Sequence, residues 1–202
     1  MTDCLVPAVL ERADGAFGVA LDGKALKTPA GIEVAVPARA LAEAMVAEWQ
    51  ECVPRGKARK IDYDKLPLTR IVGTALDRIP SKRDAILDGL VAYAETELLC
   101  FRADAPAELA ARQTKTWQPL LDWLALAYDA PLIVSHAIAA PAQPASSLAA
   151  LRKALAGMDD LQLAGIGVAV AVTSSLAVSL ALADGKLDAK GAREAQDAHR
   201  AA

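Results

Sequence analysis

Two hydrophobic periods divide the chain. In the first 36 residues, apolar positions recur at every second residue. Phe17, Val19 and Leu21 alternate with Gly18, Ala20 and Asp22, and Ile32, Val34 and Val36 alternate after Pro29 and Gly31. Asp14-Gly15 and Asp22-Gly23 are hairpin signals, because these turns need positive φ and Asp-Gly supplies it cheaply. The pattern predicts an antiparallel meander of three or four short strands. After Pro37 the period lengthens. Leu41, Met45 and Trp49 recur every fourth residue and share one helix face. Leu68, Ile71, Val72, Ala75, Leu76 and Ile79 trace a second helical stripe, which Pro80 is expected to end. Ser81 with Asp84 resembles a capping box opening a helix through Ile86, Leu87, Leu90 and Val91.

Further along, Pro106 suits the first turn of a helix running by Leu109, Gln113 and Trp117. Pro119 is expected to kink or restart it before Leu120, Leu121, Leu124 and Tyr128. A short extended piece follows at Leu132 to Val134, and Ala139 to Ser147 reads as a linker. Three helices are expected after it: Leu148 to Ala156, one apolar helix, and one from Asp188 onward. The sum is an α+β protein. A small antiparallel β-rich N-terminal domain with one helix occupies residues 1–60, and a larger all-helical C-terminal domain occupies 61–202.

The apolar helix changes the picture most. Leu163-Ala183 is a run of 21 residues without a charge, long enough to span a bilayer. Twelve of those residues are Ala, Gly, Ser or Thr, and acidic residues flank both ends without a Lys/Arg cluster. Small residues let a helix pack closely on all sides, so a buried core helix is the better reading, with membrane association as the alternative.

Composition narrows the class. Lys+Arg 22 against Asp+Glu 25 gives a net charge of -3, and 54% of residues are hydrophobic. That balance excludes whole-chain disorder and a general nucleic-acid surface. The run 55–60 holds four bases, but Asp62 and Asp64 follow at once, as in a solvated loop. Cys4, Cys52 and Cys100 form no C-x-x-C pair, and His136 and His199 stand alone, so no metal or cofactor is expected. The unpaired thiols fit a reducing compartment. The opening Met1-Thr2-Asp3 has no basic or long apolar region. With the abundant alanine, it points to a bacterial cytoplasmic protein, or to the mitochondrial matrix in a eukaryote.

Candidate chemistry is sparse. Gly18 to Lys24 fits G-x-x-x-x-G-K, but Ala25 stands where a phosphate loop needs Ser or Thr, and a hairpin stands where it needs a helix. Gly165-x-Gly167 lacks the third glycine of a dinucleotide fingerprint. A small enzyme could use Cys100 or an acidic pair, Glu95/Glu97 or Asp159-Asp160. The apolar neighbours Leu98, Leu99 and Phe101 argue for an inert buried thiol, and acids before a helix are commonly caps. A chain rich in apolar helix surface and poor in catalytic parts fits protein binding.

Four ordered stretches then resemble one family, the assembly chaperones that hold the α subunit of the F-type ATP synthase catalytic head. They are Leu21-Asp-Gly-Lys-Ala-Leu-Lys-Thr-Pro29 with Ala47-Glu48-Trp49, and Leu66-Pro-Leu-Thr-Arg-Ile-Val-Gly-Thr-Ala-Leu-Asp77. The third is Tyr93-Ala-Glu-Thr-Glu-Leu-Leu-Cys-Phe-Arg-Ala103 with Gln113 and Trp117-Gln-Pro-Leu-Leu-Asp-Trp123. The fourth is Asp159-Asp160, Ser175-Leu176, Ala181-Leu-Ala183, Gly185 and Leu187. The resemblance implies a β-rich domain followed by a helical one. It implies a monomeric, non-enzymatic chaperone that binds the free ATP synthase α subunit until β arrives, without nucleic acid or membrane insertion. Trp117, Asp122, Trp123, Asp159 and Asp160 match family motifs and are the candidate partner-binding residues, although both tryptophans also sit at helical core spacing. The family's acidic, Trp-containing C-terminal tail, with its functional acidic residue, has no counterpart before Ala202, and the aromatic cluster of its extreme N-terminus is replaced by Cys4-Leu-Val6.

Overall fold

The computed structural model describes residues 6–52, 61–137 and 139–199; Cys4 and the basic run 55–60 lie outside them. The two periods produce the expected α+β protein, a small sheet followed by eight helices among the described residues. β1 (Pro7–Glu11), β2 (Phe17–Leu21) and β3 (Lys24–Ala25) pair antiparallel in that order, with Val9 opposite Val19 and Ala20 opposite Ala25. Asp22 and Gly23 both take positive φ, 51° and 75°, as their hairpin requires. In the other pair only Gly15 does, at 81°, and Arg12 N–H donates to the Ala16 carbonyl at 3.0 Å to close a wider turn.

Segment 32–36 falls short of a fourth strand. Val36 exchanges both backbone hydrogen bonds with Phe17, at 2.9 and 2.7 Å, and Val34 N–H donates to the Leu26 carbonyl at 2.9 Å. The strict alternation of β2 also fails, for Gly18, Val19 and Ala20 are all buried. Helix α1 (Arg39–Cys52) packs on β1 and β2, burying Met45 and Trp49, and the Val34 carbonyl crowds Gly18.

A 3-10 turn (Tyr63–Lys65) leads into α2 (Pro67–Asp77), with proline in the first turn where its missing N–H is harmless. The chain divides into two compact units, Met1–Ser81 and Lys82–Ala202, so α2 lies in the first unit although the sequence pattern places a boundary at 60/61.

Pro80 does not mark a stop. Helix α2 ends at Asp77 and α3 (Ile79–Glu95) carries Pro80 in its own first turn. No capping box forms at Ser81. Its hydroxyl donates to the Arg78 carbonyl at 3.2 Å, and the backbone leaves helical geometry at Lys82.

In the second unit, α4 (Ala107–Tyr128) runs through Pro119 as one helix of 22 residues instead of restarting, with Pro106 just outside as its N-cap. Leu132 to Val134 is irregular; pairing occurs one residue on, where Ser135 bridges Phe101. Helix α5 (Ala145–Ala156) begins three residues before the expected Leu148. Ser147 is fully buried and donates to the Pro131 carbonyl at 2.6 Å, a partner that sequence spacing could not supply.

The apolar run is two helices, not one. Helix α6 (Asp160–Thr173) ends at Ser174, whose φ is 55°, and Ser175 caps α7 (Leu176–Ala183) by accepting Val178 N–H at 3.0 Å. Among the described residues, no helix is long and apolar enough to cross a membrane. Residues 176–181 are all buried, because α7 packs against α4, α6 and α8 (Ala189–Asp197).

Candidate functional site

Three carboxylates tie the resembling stretches together, each within one unit. Glu48 of α1 caps α2, accepting Leu68 N–H at 2.6 Å, Thr69 N–H at 3.1 Å and the Thr69 hydroxyl at 3.2 Å. Trp49 Nε1–H donates to the same hydroxyl oxygen at 3.1 Å. These contacts satisfy α2 donors that have no partner within the helix. Asp77, at the other end of α2, accepts the Thr28 hydroxyl at 2.5 Å and Ala30 N–H at 3.2 Å. Beside it, Leu26, Thr28, Trp49, Tyr63, Gly73 and Arg78 contribute to an open groove of about 620 Å³.

Glu97 plays the same part in the second unit. It is 1% exposed and accepts Leu176 and Ala177 N–H at 2.9 and 3.1 Å, capping α7, and Leu99 N–H at 3.3 Å. Burial pushes its pKa up, against the lowering effect of the Ser175 hydroxyl and those N–H groups. The neighbouring Cys100 is fully buried, and burial with the nearby Glu97 charge pushes its thiol up to about 12. A thiol so protonated is a poor nucleophile at neutral pH. Glu95 is exposed while Glu97 is buried, so the two do not form a catalytic pair.

The candidate binding residues scatter. Trp117 is 0% exposed, donates through Nε1 to the Ala195 carbonyl at 2.7 Å, and lies under the Arg102 guanidinium at 5.4 Å. Arg102 also holds the Leu99 carbonyl at 2.9 Å and Gln118 Oε1 at 3.3 Å, while Gln113 accepts Ala103 N–H at 2.8 Å. Trp117 is therefore a core residue. Asp122 is exposed and accepts Gln118 Nε2 at 2.8 Å. Trp123 is half-buried and meets Tyr128 edge-on at 5.6 Å. The Tyr128 hydroxyl donates to Asp184 at 2.8 Å.

Asp159 forms a capping box with Gln162, and Asp160 pairs with Arg83, which also holds the Ala156 and Met158 carbonyls. Among the described residues, no hydrogen bond or ion pair joins the Asp159-Asp160 pair to the Trp117–Trp123 stretch. The structure thus brings Trp117 to the core, leaves Asp122 and Trp123 on the outer side of α4, and uses both aspartates at a helix start.

Two further features stand out on the second unit. Leu126 is 88% exposed, and Val172 and Val168 of α6 are 62% and 48% exposed. The valines border a groove of about 500 Å³ shared by α6 and α8, where Gln196 Nε2 donates to the Val172 carbonyl at 2.6 Å. The sequence pattern missed Leu126, although a leucine out of phase with the stripe of Leu120, Leu121 and Leu124 is a legible signal.

Comparison with known proteins gives one consistent likeness. A family model described as ATP12 chaperone protein matches residues 6–125. The crystal structure of Atp12 from Paracoccus denitrificans is similar at 31% identity and a TM-score of 0.83, covering 98% of this chain and 84% of that one. A point mutant of Atp12p from the same organism matches at 32% identity and a TM-score of 0.83, over 95% and 80% of the two chains. The Atu1473 protein from Agrobacterium tumefaciens matches at 31% identity and a TM-score of 0.85, over 96% and 71%.

Proposed function

Because this chain belongs to the ATP12 chaperone protein family, we propose that it is an ATP synthase assembly chaperone that binds the free α subunit of the catalytic head. It covers α-subunit surface that the β subunit later takes, and it leaves when β arrives. The observation that carries this reading is the family match over residues 6–125, joined to a shared fold along 95–98% of the chain. The physical need is clear. A subunit made for an obligate interface exposes a large apolar surface before its partner arrives, and such surface aggregates.

The reading includes no catalysis. It is supported by how the candidate catalytic groups are used: Cys100 is a buried thiol, Glu97 caps a helix, and Asp159 and Asp160 serve a capping box and an ion pair. The protein acts as a monomer in the compartment where the α subunit is made or imported, the cytoplasm of a bacterium or the mitochondrial matrix.

The test is aggregation of isolated α subunit diluted from denaturant, followed by light scattering, with albumin as control. Suppression near an equimolar ratio, reversed by added β subunit, is the expected outcome. Scattering equal to the albumin control overturns the reading.

A further inference from the structure

Among the described residues, one charged side chain has nitrogens shielded from solvent and no ion pair or hydrogen bond to hold it. Arg112 of α4 is half-buried, and its Nε and Nη2 atoms are shielded from solvent without a hydrogen-bond partner. These two nitrogens present their hydrogens on the same side of the guanidinium, the side that grips a carboxylate with two parallel bonds. Two guanidinium N–H groups shielded from water and left without an acceptor cost the free protein stability. A chain retains such a group at little benefit unless the missing anion arrives from outside.

Arg112 does not stand alone on its face. Residues 112, 116, 119, 123 and 126 of α4 are spaced by four, three, four and three, so they form one strip along the helix. The adjoining face carries the buried Gln113, Trp117, Leu120, Leu121 and Leu124. The strip ends in the half-buried Trp123 and in Leu126, the most exposed large hydrophobic side chain among the described residues. At a rise of about 1.5 Å per residue, Trp123 lies about 16 Å and Leu126 about 21 Å from Arg112. An apolar anchor and an unsatisfied cation on one rigid helix define what fits them.

Resting on the chaperone reading above, we propose that this strip of α4 docks the client subunit. The occupant is a client segment that places a carboxylate on the Nε and Nη2 side of Arg112 and an apolar side chain against Trp123 and Leu126. In the free protein the packing of its stem holds the half-buried Arg112 in place, and the client carboxylate tips that balance, drawing the flexible stem outward to pair with it. Charge complementarity sets the register, and the apolar contact supplies the hold.

The experiment uses the full chain and refolded ATP synthase α subunit, with binding followed by titration calorimetry and stability by thermal unfolding. Leu126→Asp changes an exposed position, and Arg112→Met keeps the stem while removing the charge. Lys186→Ala, at an exposed position after α7, is the control. Leu126→Asp and Arg112→Met are each expected to weaken binding tenfold or more, and the control to leave it unchanged. Arg112→Met is further expected to keep or raise the Tm, because it removes an unpaired guanidinium. Wild-type affinity in both variants overturns the docking strip and leaves the chaperone reading standing. A fall in Tm for Arg112→Met, with normal binding by Leu126→Asp, assigns Arg112 to the fold and also overturns the strip. Absence of binding by the wild-type chain overturns both the strip and the chaperone reading.

Discussion

A methyl group at residue 18 has no room. A Cβ built on Gly18 would lie 2.7 Å from the Val34 carbonyl oxygen, a backbone atom that cannot turn aside. Gly18→Ala is therefore expected to lower stability by about 1–3 kcal/mol, as overpacking does in a filled interior. Urea unfolding checks this, and an unchanged midpoint would show that segment 32–36 can shift. Glu97 has a different character. Its pKa is raised by burial above the ordinary 4.5, so the folded state holds the proton more tightly than the unfolded chain. The contribution of Glu97 is then complete below its unfolded pKa and is lost as pH rises through the folded value. Glu97→Gln should destabilise the protein by about 1–3 kcal/mol, because its amide nitrogen faces N–H donors and leaves one unsatisfied. The gap in Tm between wild type and variant should narrow from pH 4.5 to pH 8. A gap that widens with pH would mean that the N–H donors and Ser175 outweigh burial and that the carboxylate is charged.

Among the elements, the junction between α6 and α7 decides how the apolar run behaves. Ser174 adopts left-handed geometry, φ 55°, which costs an L-residue about 1–2 kcal/mol and glycine almost nothing. Ser174→Gly is expected to stabilise by about 0.5 kcal/mol after the added unfolded-state entropy. Ser175→Ala removes the cap on Val178 N–H and should cost about 1 kcal/mol or more. Opposite signs at adjacent serines, read by denaturant midpoints, are the signature of a helix break. The meander, the Asp22-Gly23 hairpin, the α1 and α2 stripes and the core position of Trp117 were legible in the sequence, because each follows from local period or turn chemistry. The break at Thr173-Ser174-Ser175 was not, since three small polar residues keep an uncharged run uncharged. Ser147 read as linker because its partner, the Pro131 carbonyl, is fixed by packing. For the candidate site, the sequence reading passed over Leu126, although a leucine off the stripe of Leu120, Leu121 and Leu124 carried the signal. The missing partner of Arg112 exists only in three dimensions.

For the whole molecule, the length of each helix matters more than the hydropathy of the sequence. At about 1.5 Å per residue, the 14 residues of α6 span about 21 Å and the 8 of α7 about 12 Å, short of a hydrocarbon core of about 30 Å. Carbonate extraction of the expressed chain is expected to leave it in the supernatant, and retention in the pellet would revive the membrane alternative. The three bridging carboxylates carry a further consequence, one of timing. Glu48 reaches 20 and 21 residues along the chain, Asp77 reaches back 47 and 49, and Glu97 reaches 79 and 80. A helix can coil in well under a millisecond, yet the amides at these starts stay open to water until a distant part of the chain arrives. Deuterium uptake at Leu68, Thr69, Leu176 and Ala177 therefore keeps a clock of assembly, recording when each unit closes and not when its helices first wind.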